Sequence, residues 1–184
     1  MRRLDWVAWA GLAVSIALNG LQGIRILRLE KALESPPAIT TLVEGMAAPP
    51  LEARDAAGRM LRIDYGEGPN PTLVYLFSPG CVWCRRNMAG IDSLARQTEG
   101  RVRTVAVSFS PDGLEEFRGR SGWTFPAYAA DPTTAKAYRA ATPTTILVAR
   151  SGAIMKVWTG VYAGSTRDAI AGYFAVRLPD LTEH

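Results

Sequence analysis

The chain is poor in the residues on which most side-chain chemistry depends. Its one histidine, His184, is the last residue, and its only cysteines are Cys81 and Cys84. Ser-His-Asp catalysis therefore lacks an internal histidine. A structural zinc site needs about four nitrogen or sulfur ligands, and a cysteine-ligated iron–sulfur cluster needs a similar number, so neither can be built within this chain. C-type haem attachment fails as well, because Arg85 stands after Cys84 where that motif has histidine. No metal and no cofactor is implied. Long runs of one charge are also missing: the net charge of +4 is spread along the chain, with nothing longer than Arg2-Arg3 or Arg85-Arg86. That pattern describes a solvated surface and argues against a nucleic-acid partner.

What remains is a chain of 184 residues, 48% hydrophobic and 21% charged, enough for one ordinary core after an apolar leader. No charged side chain occurs from Trp6 to Ile24. A helix over that stretch is roughly 28 Å long, about the thickness of a bilayer core, so residues 1–24 read as a membrane anchor. Arg2 and Arg3 precede it, Arg25, Arg28 and Lys31 follow it, and Trp6 and Trp9 are placed as interfacial aromatics. A cleaved secretory signal is the rival reading, but the small pair Ser15 and Ala17 lies inside the apolar run. Residues 25–44 read as an amphipathic stalk, with Ile26, Leu29 and Leu33 at helical spacing, followed by a linker opened by Ser35-Pro36-Pro37.

Residues 45–184 read as one α/β domain. Leu51 to Arg54 and Met60 to Ile63 are strand candidates around the turn residues Asp55-Ala56-Ala57-Gly58. The unbroken apolar run Thr72 to Phe77 predicts a strand buried on both faces, and Cys81 to Gln97 predicts one long helix. Val102 to Phe109, Thr144 to Ala149 and Ile154 to Trp158 predict further strands. Leu114 to Arg118, Asp131 to Tyr138 and Thr166 to Val176 predict helices. Strands alternating with helices and ending in a hairpin and a helix imply a three-layer α/β/α sandwich with a mixed central sheet.

Two cysteines separated by two residues at the start of a helix can close a small disulfide ring, and the first is exposed to the partial positive charge of the helix end. Cys81 is thus the candidate nucleophile. Cys84, one turn further on, is the candidate resolving thiol that attacks a mixed disulfide on Cys81. Arg85 and Arg86 either help lower a thiol pKa or face water. A structural disulfide, half of an intermolecular metal site, or two inert buried thiols are the bland alternatives; the strand, turn and helix context favours a redox pair.

On these residues the sequence resembles the thioredoxin-fold proteins, and among them the membrane-tethered TlpA/ResA-like thiol-disulfide oxidoreductases. Gly45-Met46-Ala47-Ala48-Pro49 with Asp55, Gly58 and Leu61 is similar to that family's entrance hairpin. The apolar strand feeding Cys81-Val82-Trp83-Cys84 stands where its active site stands, and Ala141-Thr142-Pro143-Thr144-Thr145 resembles its cis-proline segment. The likeness covers roughly residues 45–176 and implies that Pro143 shapes a substrate groove in which the Thr142 backbone pairs with a bound peptide. Trp83 is a further candidate for lining that groove, with plain packing as its alternative. Three positions depart from the pattern. Asn87 stands where the ResA-like branch has an acid, Ala89 where it has a proline, and Tyr75 where thioredoxins have a buried aspartate. The Val-Trp pair between the cysteines matches neither the Gly-Pro nor the Pro-His version.

The resemblance implies a single-pass protein of a bacterial inner membrane, held through Trp6 to Ile24, with its C-terminal domain in the periplasm. There it would exchange disulfides with exported proteins, as a reductant or isomerase ahead of an oxidant, fed by an unidentified upstream electron donor. A thiol peroxidase of the peroxiredoxin type is the alternative enzyme, with Ser78 fitting its Ser/Thr position but Val74 where it has proline. A copper-binding assembly factor lacks its Cys-x-x-x-Cys spacing and its histidine here, and a tethered scaffold would leave the cysteines incidental.

Overall fold

The computed structural model describes residues 9, 12, 15–16, 18–24, 42–138 and 140–181. The chain divides into two compact units, Met1–Ile39 and Thr40–His184. In the first, residues 18–24 are helical, and the Asn19 side chain donates to the Ser15 carbonyl at 2.8 Å. Among the described residues no helix is long and apolar enough to cross a membrane. Eight of the nineteen residues from Trp6 to Ile24, and residues 25–41 of the stalk, lie outside the described residues.

The second unit is built on a seven-stranded mixed sheet. Its strands are β1 (Leu51–Arg54), β2 (Met60–Ile63), β3 (Thr72–Phe77), β4 (Arg103–Ser108), β5 (Ala127–Ala130), β6 (Thr144–Val148) and β7 (Ile154–Thr159). Across the sheet they run in the order β2-β1-β5-β4-β3-β6-β7. The β3/β4 and β4/β5 pairs are parallel, and the outer pairs are antiparallel. The helices are α1 (Val82–Arg86), α2 (Met88–Gln97), α3 (Leu114–Ser121), α4 (Pro132–Ala137) and α5 (Gly164–Phe174).

Strand β3 is central because every one of its six residues is apolar enough, or small and polar enough, to be enclosed; all are buried. Its alternation divides the core into two layers, as a pleated strand requires. Leu73, Tyr75 and Phe77 join Ile91 and Leu94 of α2, Phe117 of α3, and Ile170 and Phe174 of α5. Val74 and Leu76 face the other way, with Val105, Val107, Ile146, Val148 and Tyr138. Burying each such aliphatic or aromatic side chain contributes about 1.5–3 kcal/mol, which is why neither face of β3 tolerates a charge.

The entrance hairpin forms as the turn residues predict. One oxygen of Asp55 accepts from the Ala57 and Arg59 backbones at 2.9 Å each, and Gly58 adopts φ +77°, where a side chain is strained.

Several boundaries differ from the sequence reading. The helix expected over Cys81 to Gln97 is two helices that meet at Asn87, whose φ of −90° and ψ of −2° depart from helical values while its N–H and carbonyl still bond to Trp83 and Ile91. Strand β4 is one residue shorter at each end than Val102 to Phe109, while α3 runs on to Ser121. The last helix starts at Gly164, two residues before Thr166, and stops at Phe174 before Ala175 turns left-handed. Strand β5 was not expected. Its sequence, Ala-Tyr-Ala-Ala, has little β propensity, and pairing with β4 on one side and β1 on the other makes it a strand.

Candidate active site

Strand β3 ends at Phe77, and Ser78-Pro79-Gly80 turns the chain into α1. Cys81 caps that helix with extended backbone, its amide donating to the Ser78 carbonyl at 3.0 Å. As in any N-cap, the side chain meets an otherwise unpaired backbone N–H. Here the Cys81 Sγ accepts from the Cys84 N–H at 3.3 Å. The expected influence of the helix end thus resolves into identifiable backbone donors, the Cys84 N–H foremost and that of Trp83 beside it. From the other side, the Cys81 thiol donates to the Thr142 carbonyl at 3.5 Å. The Thr142–Pro143 peptide is cis, and Pro143 is buried while Thr142 is half-buried. Cys81, Cys84, Thr142 and Pro143, about sixty residues apart in two groups, therefore meet at one place. Both cysteines are free thiols.

The two sulfurs sit in opposed environments. Burial works against ionising Cys81, yet the hydrogen bonds from Cys84 and around Thr142 outweigh it, and its thiol pKa falls below the ordinary value. Cys84 is wholly buried, and burial followed by the neighbouring Cys81 pushes its pKa up to about 12. The thiolate is favoured at one sulfur and the protonated thiol at the other.

Arg85 donates to the Pro79 carbonyl at 3.3 Å, and the Arg86 guanidinium lies 5.1 Å from the centre of the Trp83 ring. Trp83 and Val82 remain half exposed, at 50% and 52%, so Trp83 is no core residue and stands on the surface beside Cys81. A cavity of about 470 Å³ lined by Ala47, Ile63, Tyr65 and Arg150 includes neither cysteine.

Beneath Cys84 lies a buried polar cluster that sequence reasoning did not assemble. Asn87, at the break between α1 and α2, is fully enclosed; its Oδ1 accepts from the Tyr162 N–H at 2.9 Å and its Nδ2 donates to the Tyr75 hydroxyl at 3.3 Å. The Tyr162 and Thr145 hydroxyls pair at 2.7 Å, and Thr145 stands directly across from Tyr75 in the β3/β6 ladder. A tyrosine inside an otherwise apolar strand was the available signal, since a buried phenol needs a polar partner. Which partner it finds was invisible, because Asn87 and Tyr162 come from distant parts of the chain. Gly90 belongs to the same cluster: a Cβ there would stand 3.0 Å from the Tyr162 ring and 3.3 Å from Asn87 Oδ1.

No family model matches the sequence, and no curated protein matches it. Solved structures do. A Chlorobium tepidum chain assigned as a thiol:disulfide interchange protein DsbE superposes with a TM-score of 0.61 at 18% identity, covering 73% of this chain and 98% of its own. A thiol:disulfide interchange protein from a Bacteroides species gives 0.60 at 17% identity, covering 73% and 91%. The peroxidoxin BcpB of Mycobacterium tuberculosis gives 0.57 at 15% identity, covering 73% and 97%. At such identities these likenesses establish a thioredoxin-like fold.

Proposed function

We propose that the protein is a thiol-disulfide oxidoreductase that exchanges disulfides with protein partners through Cys81 and Cys84. The observation that carries this reading is the opposed setting of the two sulfurs within one helical turn. Cys81 is partly exposed, lowered in pKa and hydrogen-bonded to the Thr142 carbonyl, while Cys84 is buried and raised. Cys81 attacks a partner disulfide, and Cys84 then displaces the partner from the mixed disulfide. Thr142, Pro143 and the exposed Trp83 line the place where the partner chain lies. Two of the solved structures with this fold carry thiol:disulfide interchange names, which supports the same chemistry.

The finer reading is a tethered enzyme of a bacterial inner membrane whose domain works in the periplasm as a reductant or isomerase, supplied by an upstream electron donor. Trp9, Leu12, Ile16, Leu18, Leu21 and Ile24 support the tether, being apolar and each more than half exposed. An oxidising compartment is where such a pair has disulfides to exchange.

The test is reduction of a protein disulfide by the full-length chain in mild detergent, beside Cys81→Ser and Cys84→Ser. Loss of turnover in Cys81→Ser, with Cys84→Ser trapped as a mixed disulfide, is the expected result. Turnover by Cys81→Ser would refute the assignment. Peroxide consumption far above that of a free thiol, with no disulfide exchange, would replace it with the peroxidase reading.

A further inference from the structure

Two segments from different parts of the fold meet at the Cys81 sulfur. Cys81 belongs to the cap of α1, and the Thr142 carbonyl that it faces across 3.5 Å belongs to the cis-proline segment ahead of β6. An S–H group is a weak donor and a thiolate has no proton to give, so this contact does not hold the two segments together once Cys81 ionises. Their spacing is set elsewhere.

The turn between β7 and α5 reaches both segments. Its Gly160 N–H donates to the Pro143 carbonyl at 2.8 Å, and the Tyr162 hydroxyl pairs at 2.7 Å with that of Thr145, two residues past Pro143. On its other side the Tyr162 N–H donates to Asn87 Oδ1 at 2.9 Å. The turn is tight: Gly160 stands at φ +98°, and the Ala163 N–H bonds back to the Val161 carbonyl at 2.8 Å. Among the described residues it is thus tied twice to the cis-proline side, while Asn87 supplies its side-chain hydrogen bond to the junction of α1 and α2. A backbone N–H can only donate, so the Asn87 atom facing Tyr162 is the amide oxygen, and the amide nitrogen donates to the Tyr75 hydroxyl at 3.3 Å. Both ends of this fully buried amide are therefore engaged. The Asn87 backbone N–H bonds to the Trp83 and Cys84 carbonyls at 3.1 and 3.3 Å, which couples the amide to the helical turn that carries the thiols.

We propose that Asn87 is a positioning residue: by holding the 160–163 turn against α1, it sets the distance between the Cys81 sulfur and the Thr142–Pro143 wall along which a partner chain lies. This role rests on the oxidoreductase reading. Asn87 touches no reacting atom, so it acts on the fit of an extended partner between the two segments and leaves the intrinsic reactivity of the thiol alone. A buried N–H without an acceptor is costly, and a turn released from α1 relieves that cost by shifting until Tyr162 finds another partner. The Thr142–Pro143 wall, tied to the same turn, shifts with it.

The experiment compares the full-length chain in mild detergent with Asn87→Leu, which keeps the branched shape but has no acceptor, and Asn87→Asp, which restores one. Two quantities are read: the kinetics of insulin reduction with dithiothreitol as reductant, and the high-pH plateau of Cys81 alkylation by iodoacetamide, a reagent too small to need the groove. For Asn87→Leu the KM for insulin is expected to rise about tenfold, with kcat and the alkylation plateau within about twofold of wild type. Asn87→Asp is expected to bring the KM back to near the wild-type value. An unchanged KM in Asn87→Leu, or a loss confined to kcat or shared equally by alkylation, would overturn the positioning role, because general loosening of the fold gives those patterns. A KM for Asn87→Asp as high as that of Asn87→Leu would overturn it as well. A wild type that reduces no insulin would instead remove the oxidoreductase reading, and this role with it. Should Asn87→Leu fail to fold, Asn87→Ser leaves room for a water that satisfies the Tyr162 N–H without fixing its place. The same rise in KM is then expected, and an unchanged KM refutes the proposal.

Discussion

The backbone N–H of Cys84 points at the sulfur of Cys81 across 3.3 Å, so the proposed resolving residue also supports the proposed nucleophile. The Cys84 thiol lowers the Cys81 pKa further by its own hydrogen bond. Changing Cys84 therefore changes Cys81. Alkylation of Cys81 by iodoacetamide should show a pH midpoint below that of an ordinary thiol in the wild type and a higher one in Cys84→Ala. Cys84→Ser, which keeps a hydroxyl donor, should lie between them, and equal midpoints in all three would contradict the geometry.

The raised pKa of Cys84 also links stability to alkaline pH. A thiol with a folded pKa of about 12 and an ordinary value of 9.0 binds its proton more tightly when folded. The stability this contributes is complete below pH 9 and is lost as the pH rises from 9 towards 12. The melting temperature of the dithiol protein should fall over that window. In Cys84→Ala the fall should be visibly shallower, as calorimetry at stepped pH would show.

Gly90 and Gly119 both lie within helices, yet alanine should act on them in opposite directions. Alanine is favoured over glycine by about 1 kcal/mol in a helix interior. At Gly119 nothing lies within 4 Å of the new Cβ, so Gly119→Ala should raise the melting temperature. At Gly90 the Cβ meets the Tyr162 ring at 3.0 Å, and Tyr162 cannot retreat while its N–H is held by Asn87 and its hydroxyl by Thr145. Overpacking of this kind costs about 1–3 kcal/mol, so Gly90→Ala should destabilise on balance.

Trp83 is half exposed and touches the Arg86 guanidinium, so little of the core depends on it. Trp83→Ala should alter stability by no more than about 0.5 kcal/mol while raising the KM for a protein disulfide. An unchanged KM would remove Trp83 from the partner's path.

Much of the site was legible before any coordinates. The C-x-x-C spacing and the apolar β3 run located Cys81 and Cys84 at a strand-to-helix turn, and Thr142-Pro143 was set apart as the second half of the groove. The turn at Asp55 to Gly58 was readable because its hydrogen bonds close within five residues. Strand β5 was not, since its alanines owe their conformation to two neighbouring strands. The break at Asn87 was hidden for the same reason. An asparagine in a helical pattern shows no sign that its amide is engaged by Tyr162, 75 positions away.

The sequence by itself determined much of the chemistry available to this protein: two thiols and no internal histidine. It also determined the alternating pattern that buries β3 and the local turns that cost little to close. Tertiary structure decided how that chemistry is tuned. Whether a thiol is lowered or raised depends on its depth and on donors that arrive from elsewhere in the chain, and electrostatics in a dry interior acts through distance in space. The same holds for the Asn87 amide. Only the convergence of β3, α1, α2 and the segment before α5 fixes which of its ends faces Tyr75 and which faces Tyr162.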